Sequence, residues 1–481
     1  MSVPSPHPAE SGTPAEPARS AGRSVHVKGF PADFVWGSAT ASYQIEGAVA
    51  EDGRGTSIWD TFAHTPGTIS DGTTGDVADD HYHRYAEDIA LLASLGMNAY
   101  RFSIAWPRIQ PTGMGPANQA GLDFYRRVAE TCHEHGVTPY ATLYHWDLPQ
   151  ALEDDGGWLN LDTAAAFRDY ASLTHDALGD VIDHWITLNE PWCSAFLGYG
   201  NGVHAPGKVL GAGAMKAAHH LLLGHGLAIN AMRESRHSSS TLGITLNLYS
   251  VHPASDSELD REAARRVDGI SNRFFLEPVL QGAYPDDVLL DASMAAWFDE
   301  RTGDLEVIGT PIDFLGINYY SRHTAAGPED RVFANPDVPT VTPGSENVRL
   351  VDTGAPKTEM GWEIHPDGLV DVVRMVHERA PELPVMITEN GAAYPDQVGP
   401  DGAVDDPERR HFFEQHVDAC RQAVEEGLTL RGYFAWSLLD NFEWAFGYSR
   451  RFGLVHVDYE TQSRTVKSSG LWFRQLLGGH D

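Results

Sequence analysis

The chain has 481 residues, 42% of them hydrophobic, which is ample for a large core and, on length alone, fits one large domain or several small ones. A formal net charge of −33 disfavours nucleic acid or an anionic membrane as a partner. Three scattered cysteines (Cys132, Cys193 and Cys420) argue against a disulfide framework or a zinc cluster, and no apolar run approaches the roughly 18 residues of a membrane span.

Residues 1–25 are rich in Pro, Ala, Ser and Glu and nearly devoid of large apolar side chains, so they are expected to be a disordered tail ahead of a single domain over 26–481. The first strand is read at Phe30–Gly37, ending near Gln44 and Glu46, and a Gly-, Asp- and Thr-rich loop follows over 51–80. Tyr82, Tyr85, Ile89 and Leu92 share one helical face, with Asp79 or Asp80 as the cap and Gly96 as the stop. A second strand is predicted over 99–104, a helix over 119–135 ending at Gly136, and a third strand over 138–145. Asp162 is expected to cap a helix over 163–178, and the fourth strand runs through Ile186-Thr187-Leu188-Asn189. Then come a helix over 213–235, strand five over 242–247, a polar helix over 256–275, strand six over 313–319 and a loop over 324–357. A helix over 367–379 leads to strand seven, Val385-Met386-Ile387-Thr388. Pro407 opens a helix that stops at Gly427, strand eight spans 431–436, and a loop over 441–452 precedes a last helix near 467–477. Eight strand signals alternating with helices and no sequence repeat make a single parallel (β/α)8 barrel, a TIM barrel with extended loops, the economical fold.

Strands four and seven are short apolar runs of the kind buried in parallel sheets, and each ends on a glutamate, Glu190 or Glu389. Pro191 and Gly391 are expected to break them there and leave each carboxylate on the barrel's C-terminal lip, where catalytic groups of this fold sit. A carboxylate pair so placed suits cleavage of a glycosidic bond. Such a bond needs one acid to protonate the leaving oxygen and one carboxylate to meet the anomeric carbon. From these two residues alone, solvated loop carboxylates remain an equal reading.

Thr187-x-Asn189-Glu190-Pro191 and Ile387-Thr388-Glu389-Asn390-Gly391 together resemble the retaining β-glycosidases of glycoside hydrolase family 1. So does the run from Phe34-x-Trp36-Gly37 to Gln44-Ile45-Glu46-Gly47. The resemblance extends from about Phe30 to the C-terminus. It implies Glu190 as acid/base and Glu389 as nucleophile, with Glu389 ionised and raising the Glu190 pKa. It further implies Arg101 beside the nucleophile, Tyr319 hydrogen-bonded to it, Asn318 as a neighbouring site asparagine, and Asn189 on the sugar 2-hydroxyl. Gln44, His145, Glu443 and Trp444 would surround the non-reducing sugar, with Trp436 stacked beneath it. In Asn441-Phe442-Glu443-Trp444 the carboxylate suits neutral hydroxyls and disfavours a phosphorylated sugar. Trp362, Cys193 and His204 are candidates for the leaving-group side, although Cys193 also reads as a small apolar filler.

The expected activity is therefore that of an exo-acting retaining β-glucosidase acting on a small β-glucoside or cello-oligosaccharide, without a cofactor. A β-galactosidase, a β-fucosidase, a transglycosidase or a silent sugar-binding barrel are the alternatives. His81-x-His83 and His219-His220 lack companion ligands at metal-site spacing and are set aside, so no metal is expected. Gly198-x-Gly200-x-Gly202 reads as a flexible loop. With no apolar leader and no Asn-x-Ser/Thr sequon, a reducing, cytoplasmic setting is the simplest expectation.

Overall fold

The structure, a computed structural model, describes residues 23–328 and 342–478. Eight parallel strands close into a barrel: β1 (Val35–Ala39), β2 (Ala99–Ser103), β3 (Thr138–Tyr144), β4 (His184–Asn189), β5 (Thr241–Asn247), β6 (Phe314–Asn318), β7 (Val385–Asn390) and β8 (Leu430–Trp436). Each strand pairs with its neighbours in sequence, and β1 closes on β8 with Val35 opposite Gly432 and Ala39 opposite Trp436. β2, β6 and β7 are buried at every position, as strands covered on both faces must be.

The principal outer helices are α1 (His81–Ser94), α2 (Gln119–Glu134), α3 (Leu161–Leu178), α4 (Met215–Arg233), α5 (Glu258–Asp268), α6 (Asp367–Arg379), α7 (Pro407–Glu425) and α8 (Ser468–Leu477). α2 shows why they pack. Leu122, Tyr125, Val128, Ala129 and Cys132 recur at helical spacing and are all buried. Burying each of the larger ones contributes roughly 1.5–3 kcal/mol. Gly136, at φ +69°, then supplies the left-handed stop.

Several boundaries differ from the sequence expectation. β1 begins only at Val35, because Phe30 and Phe34 pack their rings on Trp36 below the strand. Gln44 sits on a separate helical turn, Ser42–Ile45. Asp80 occupies the cap position of α1 in a left-handed conformation, but its carboxylate binds His83 and Arg84 instead of the helix N–H groups. The cap of α3 is Asn160, whose side chain accepts from the Asp162 N–H at 3.1 Å; Asp162 lies in the first turn. The helix expected over 256–275 is α5, then a wider turn Gly269–Arg273, then Phe274–Gln281. Cys193–Gly200 likewise forms a wide helical turn rather than a flexible glycine loop, and Gly198 backs onto the Ala205 carbonyl so closely that a side chain there would collide.

The segment read as a loop after β6 contributes strands Arg322–Ala326 and Arg349–Leu350, which with Ser250–Pro253 form a small side sheet; residues 329–341 of that segment lie outside the described chain. A hairpin, Val455–Asp458 with Ser463–Val466, precedes α8. Of the expected tail, residues 1–22 lie outside the described chain. Arg23 donates its N–H to the Gly136 carbonyl at 3.0 Å, and Val25 is buried.

Candidate active site

β4 and β7 both slip register at their C-terminal ends. The first shift falls between Ile186 and Asn189 against β5, the second between Ile387 and Glu389 against β6. Such bulges re-aim side chains at a sheet's rim. Glu190 lies just past β4 at φ +45°, a left-handed conformation that a non-glycine residue holds only when its surroundings enforce it. Glu389 is still within β7, and Gly391 two residues later touches the β8 rim; a Cβ at Gly391 would lie 1.7 Å from the Trp436 carbonyl oxygen.

Both carboxyl groups line one cavity of about 340 Å³ at this end of the barrel. Their environments differ. Glu389 Oε1 receives Arg101 Nη1 at 2.5 Å, and its Oε2 receives the Tyr320 hydroxyl at 2.7 Å. Glu190 Oε1 receives Asn318 Nδ2 at 2.6 Å and its Oε2 the Cys193 thiol at 3.0 Å; no cationic side chain bonds to it among the described residues. Burial first, and the Glu389 charge second, push the Glu190 pKa up to about 7. Burial also raises the Glu389 pKa, but Arg101, Tyr320 and Asn318 oppose that rise.

A polar frame fixes the pair. Arg101 Nη2 donates to Asn189 Oδ1 at 2.6 Å, Asn318 Nδ2 donates to the same oxygen at 3.1 Å, and Thr388 donates to Asn318 Oδ1 at 2.8 Å. Asn189 Nδ2 lies 3.0 Å from His145 Nε2. Burial and the Arg101 charge depress the His145 pKa, so the ring is neutral. With Nε2 accepting from the amide, the ring proton sits on Nδ1, which has no partner among the described residues. Gln44 spends its Nε2 on Asn441 Oδ1, the Phe442 carbonyl and Glu443 Oε2, leaving Oε1 buried without a partner among the described residues. A neutral N–H and an amide oxygen held ready in this way suit sugar hydroxyls, which both donate and accept. Trp436, Glu443 and Trp444 line the same end, and burial, then Glu389 and Glu190, push the Glu443 pKa up to about 8.

Residues 26–481 match the model of glycosyl hydrolase family 1. The chain belongs to that family. It is a glycoside hydrolase. A bifunctional beta-D-glucosidase/beta-D-fucosidase of Bifidobacterium breve is 48% identical over 94% of this chain and 98% of its own length. Beta-glucosidase A of Acetivibrio thermocellus is 44% identical over 93% of this chain and 98% of its own. Among solved structures, the family 1 β-glucosidase of Thermotoga maritima superposes with a TM-score of 0.88 at 46% identity, covering 94% of this chain and 98% of that one.

In this family 1 chain the residues expected around the sugar meet as follows. His145, Glu190, Asn318, Glu389, Trp436, Glu443 and Trp444 line the cavity, while Gln44, Arg101 and Asn189 stand immediately behind it. Trp362, Cys193 and His204 line it too, with Cys193 bonded to Glu190 rather than serving as an apolar filler. His204 is packed against Trp59, Trp146 and Trp444, and burial depresses its pKa.

Tyr319 does not reach the nucleophile. Its hydroxyl points out of the barrel to the His365 carbonyl at 2.6 Å, and the next residue, Tyr320, makes the bond to Glu389. The physical reason is strand alternation: Asn318 faces inward, so 319 faces outward and 320 inward again. The same period-two rule could have identified Tyr320 from Asn318; past β5, consecutive residues Asn247, Leu248 and Tyr249 all line the cavity, so no alternation marks them. Trp146 was also missed. Its indole donates to the Asn189 carbonyl at 2.9 Å, and its position directly after His145 at the β3 rim was the available signal.

The histidines set aside as ligands have protein partners. His81 bonds Asp88, His83 bonds Asp80 and Glu51, His219 bonds Tyr284 and Asp304, and His220 bonds the Trp158 carbonyl. No described helix is long and apolar enough to cross a membrane.

Proposed function

We propose that this chain hydrolyses terminal non-reducing β-D-glucosyl residues with net retention, with Glu389 as nucleophile and Glu190 as acid/base. The observation that carries the reading is the unequal treatment of two carboxyls in one cavity: one is bonded to a guanidinium and a phenol, the other only to an amide and a thiol. Glu389 holds the negative charge and attacks the anomeric carbon. Glu190, protonated near neutrality, donates to the departing oxygen. Once Glu389 is esterified its charge is gone, the Glu190 pKa falls, and Glu190 takes a proton from the incoming water. Water then cleaves the ester from the face opposite Glu389, and the second inversion restores the original configuration.

Glucose as the sugar is supported by the names of the relatives. The bifunctional relative makes β-fucosides a secondary substrate class. An unphosphorylated sugar is supported by Glu443, since a phosphate beside Glu443, Glu190 and Glu389 would add charge to an already acidic pocket. The catalytic unit is proposed to span 26–481, and a reducing, cytoplasmic location fits its three free, buried thiols.

The test is azide rescue of Glu389→Ala with an activated aryl β-glucoside. Azide should enter from the face Glu389 vacates and give the α-glucosyl azide. A β-configured product from this variant would overturn the nucleophile assignment.

A further inference from the structure

Outside the cavity, His252, His365 and Asp371 converge from two segments far apart in the chain. His252 lies on the side-sheet strand Ser250–Pro253, His365 just ahead of α6, and Asp371 in the second turn of α6. One donor atom from each lies within 4.8 Å of the other two. His252 Nε2 is 3.7 Å from Asp371 Oδ2, and the Ser250 hydroxyl sits between them, 2.7 Å from the imidazole nitrogen and 2.8 Å from the carboxylate oxygen. The two rings are 5.8 Å apart and nearly perpendicular.

We infer that His252, His365 and Asp371 form a binding site for a divalent transition metal ion, with Zn²⁺ as the class it suits best. Two imidazoles and one carboxylate are a zinc donor set, too few and too nitrogen-rich for calcium or magnesium. The fourth position falls to water or to the Ser250 hydroxyl. Zinc needs ligand atoms about 3.3 Å apart, given bonds of about 2.0–2.1 Å. The donors must therefore close in slightly, and the exposure of the His252 and Asp371 side chains, 44% and 36%, leaves them room to do so.

The scaffold beneath is already drawn tight. The Tyr319 hydroxyl holds the His365 carbonyl at 2.6 Å, and Gly368 packs so closely that a Cβ there would lie 2.1 Å from that hydroxyl and 2.9 Å from Ser250 Cβ.

The charges facing the cluster do not close it. Arg374 bonds Asp371 through Oδ1 at 3.1 Å and leaves Oδ2 to the site, while its other nitrogen is bound to Glu426 at 2.7 Å. Arg322 is committed to Glu363 at 3.0 Å. None of the three residues lines the catalytic cavity, so the ion would clip the side sheet to α6 and take no part in bond cleavage.

The experiment uses the untagged full chain, stripped with chelator, and titrates Zn²⁺ against a chromophoric competitor while thermal midpoints are recorded with and without zinc. One equivalent should bind at micromolar or tighter affinity and raise the midpoint by a few degrees. His252→Ala, His365→Ala and Asp371→Asn should each weaken binding at least tenfold and abolish the zinc-dependent shift, while their metal-free kcat stays at the wild-type value. Co²⁺ should give the wild type an intense visible absorption band that His365→Ala loses. Wild-type affinity in all three variants, or no binding by the wild type at 100 μM Zn²⁺, would overturn the inference, whatever the glycosidase assay shows.

Discussion

Tyr320→Phe removes one hydroxyl and, with it, the 2.7 Å bond to Glu389 Oε2; the Arg101 bond to Oε1 is left in place. A hydrogen bond to a charged acceptor is worth about 1.5–3 kcal/mol, which corresponds to roughly a 10- to 150-fold loss in kcat/KM for an aryl β-glucoside. The bond favours the ionised carboxyl, so losing it raises the Glu389 pKa. Activity requires Glu389 deprotonated, so the acidic limb of the kcat/KM profile should move to higher pH by on the order of one unit. Tyr319→Phe is the paired control. It removes only the bond to the His365 carbonyl, should cost about 0.5–1.5 kcal/mol of stability, and should leave the kinetics within about twofold. Steady-state rates of both variants across pH 4–9, with thermal melts, make the comparison. A large kinetic loss in Tyr319→Phe with a near-normal Tyr320→Phe would refute the alternation argument and the nucleophile's environment together.

Glu190→Ala should slow cellobiose about 10²- to 10⁴-fold but slow a dinitrophenyl glucoside far less in the glycosylation step, because only a poor leaving group needs the proton; equal losses in single-turnover rates would count against the acid role. Cys193→Ala removes a weak donor that favours the Glu190 carboxylate, so the Glu190 pKa should rise and the basic limb, near pH 7 in the free enzyme, should shift upward by roughly 0.3 unit. A downward shift would contradict the reading. Lys467 is fully buried, 2.5 Å from both Asp396 and Asp440, in a network completed by Arg409 and Arg451 behind the Glu443 loop. Lys467→Met should destabilise the fold by about 3–5 kcal/mol in urea melts, since it leaves three buried carboxylates, Asp396, Asp406 and Asp440, facing two cations, Arg409 and Arg451; a change below about 1 kcal/mol would show the network to be dispensable.

Much of this was legible without coordinates. Strand and helix periodicity is local, so β7 and α6 appear within a residue of where pattern places them, and the rim motifs at Glu190 and Glu389 follow from where apolar runs stop. Caps and irregular turns were less legible. Asp162 and Asn160 are chemically interchangeable cap candidates, and only the path of the backbone decides between them. The side sheet was invisible because its strands, too short and polar to announce themselves, are paired only by the fold.

By itself the amino-acid sequence determined the barrel and the two glutamates on its rim, because these rest on periodicity, and the motifs around those glutamates, through their resemblance to family 1, determined the reaction class. The tertiary structure alone decided which tyrosine touches Glu389, that a thiol and an amide hold Glu190, and that His252, His365 and Asp371 meet at all. Those outcomes depend on side-chain direction at a bulged strand end and on contacts such as Tyr320–Glu389, 69 positions apart, and Asn318–Glu190, 128 apart, neither of which a local pattern encodes.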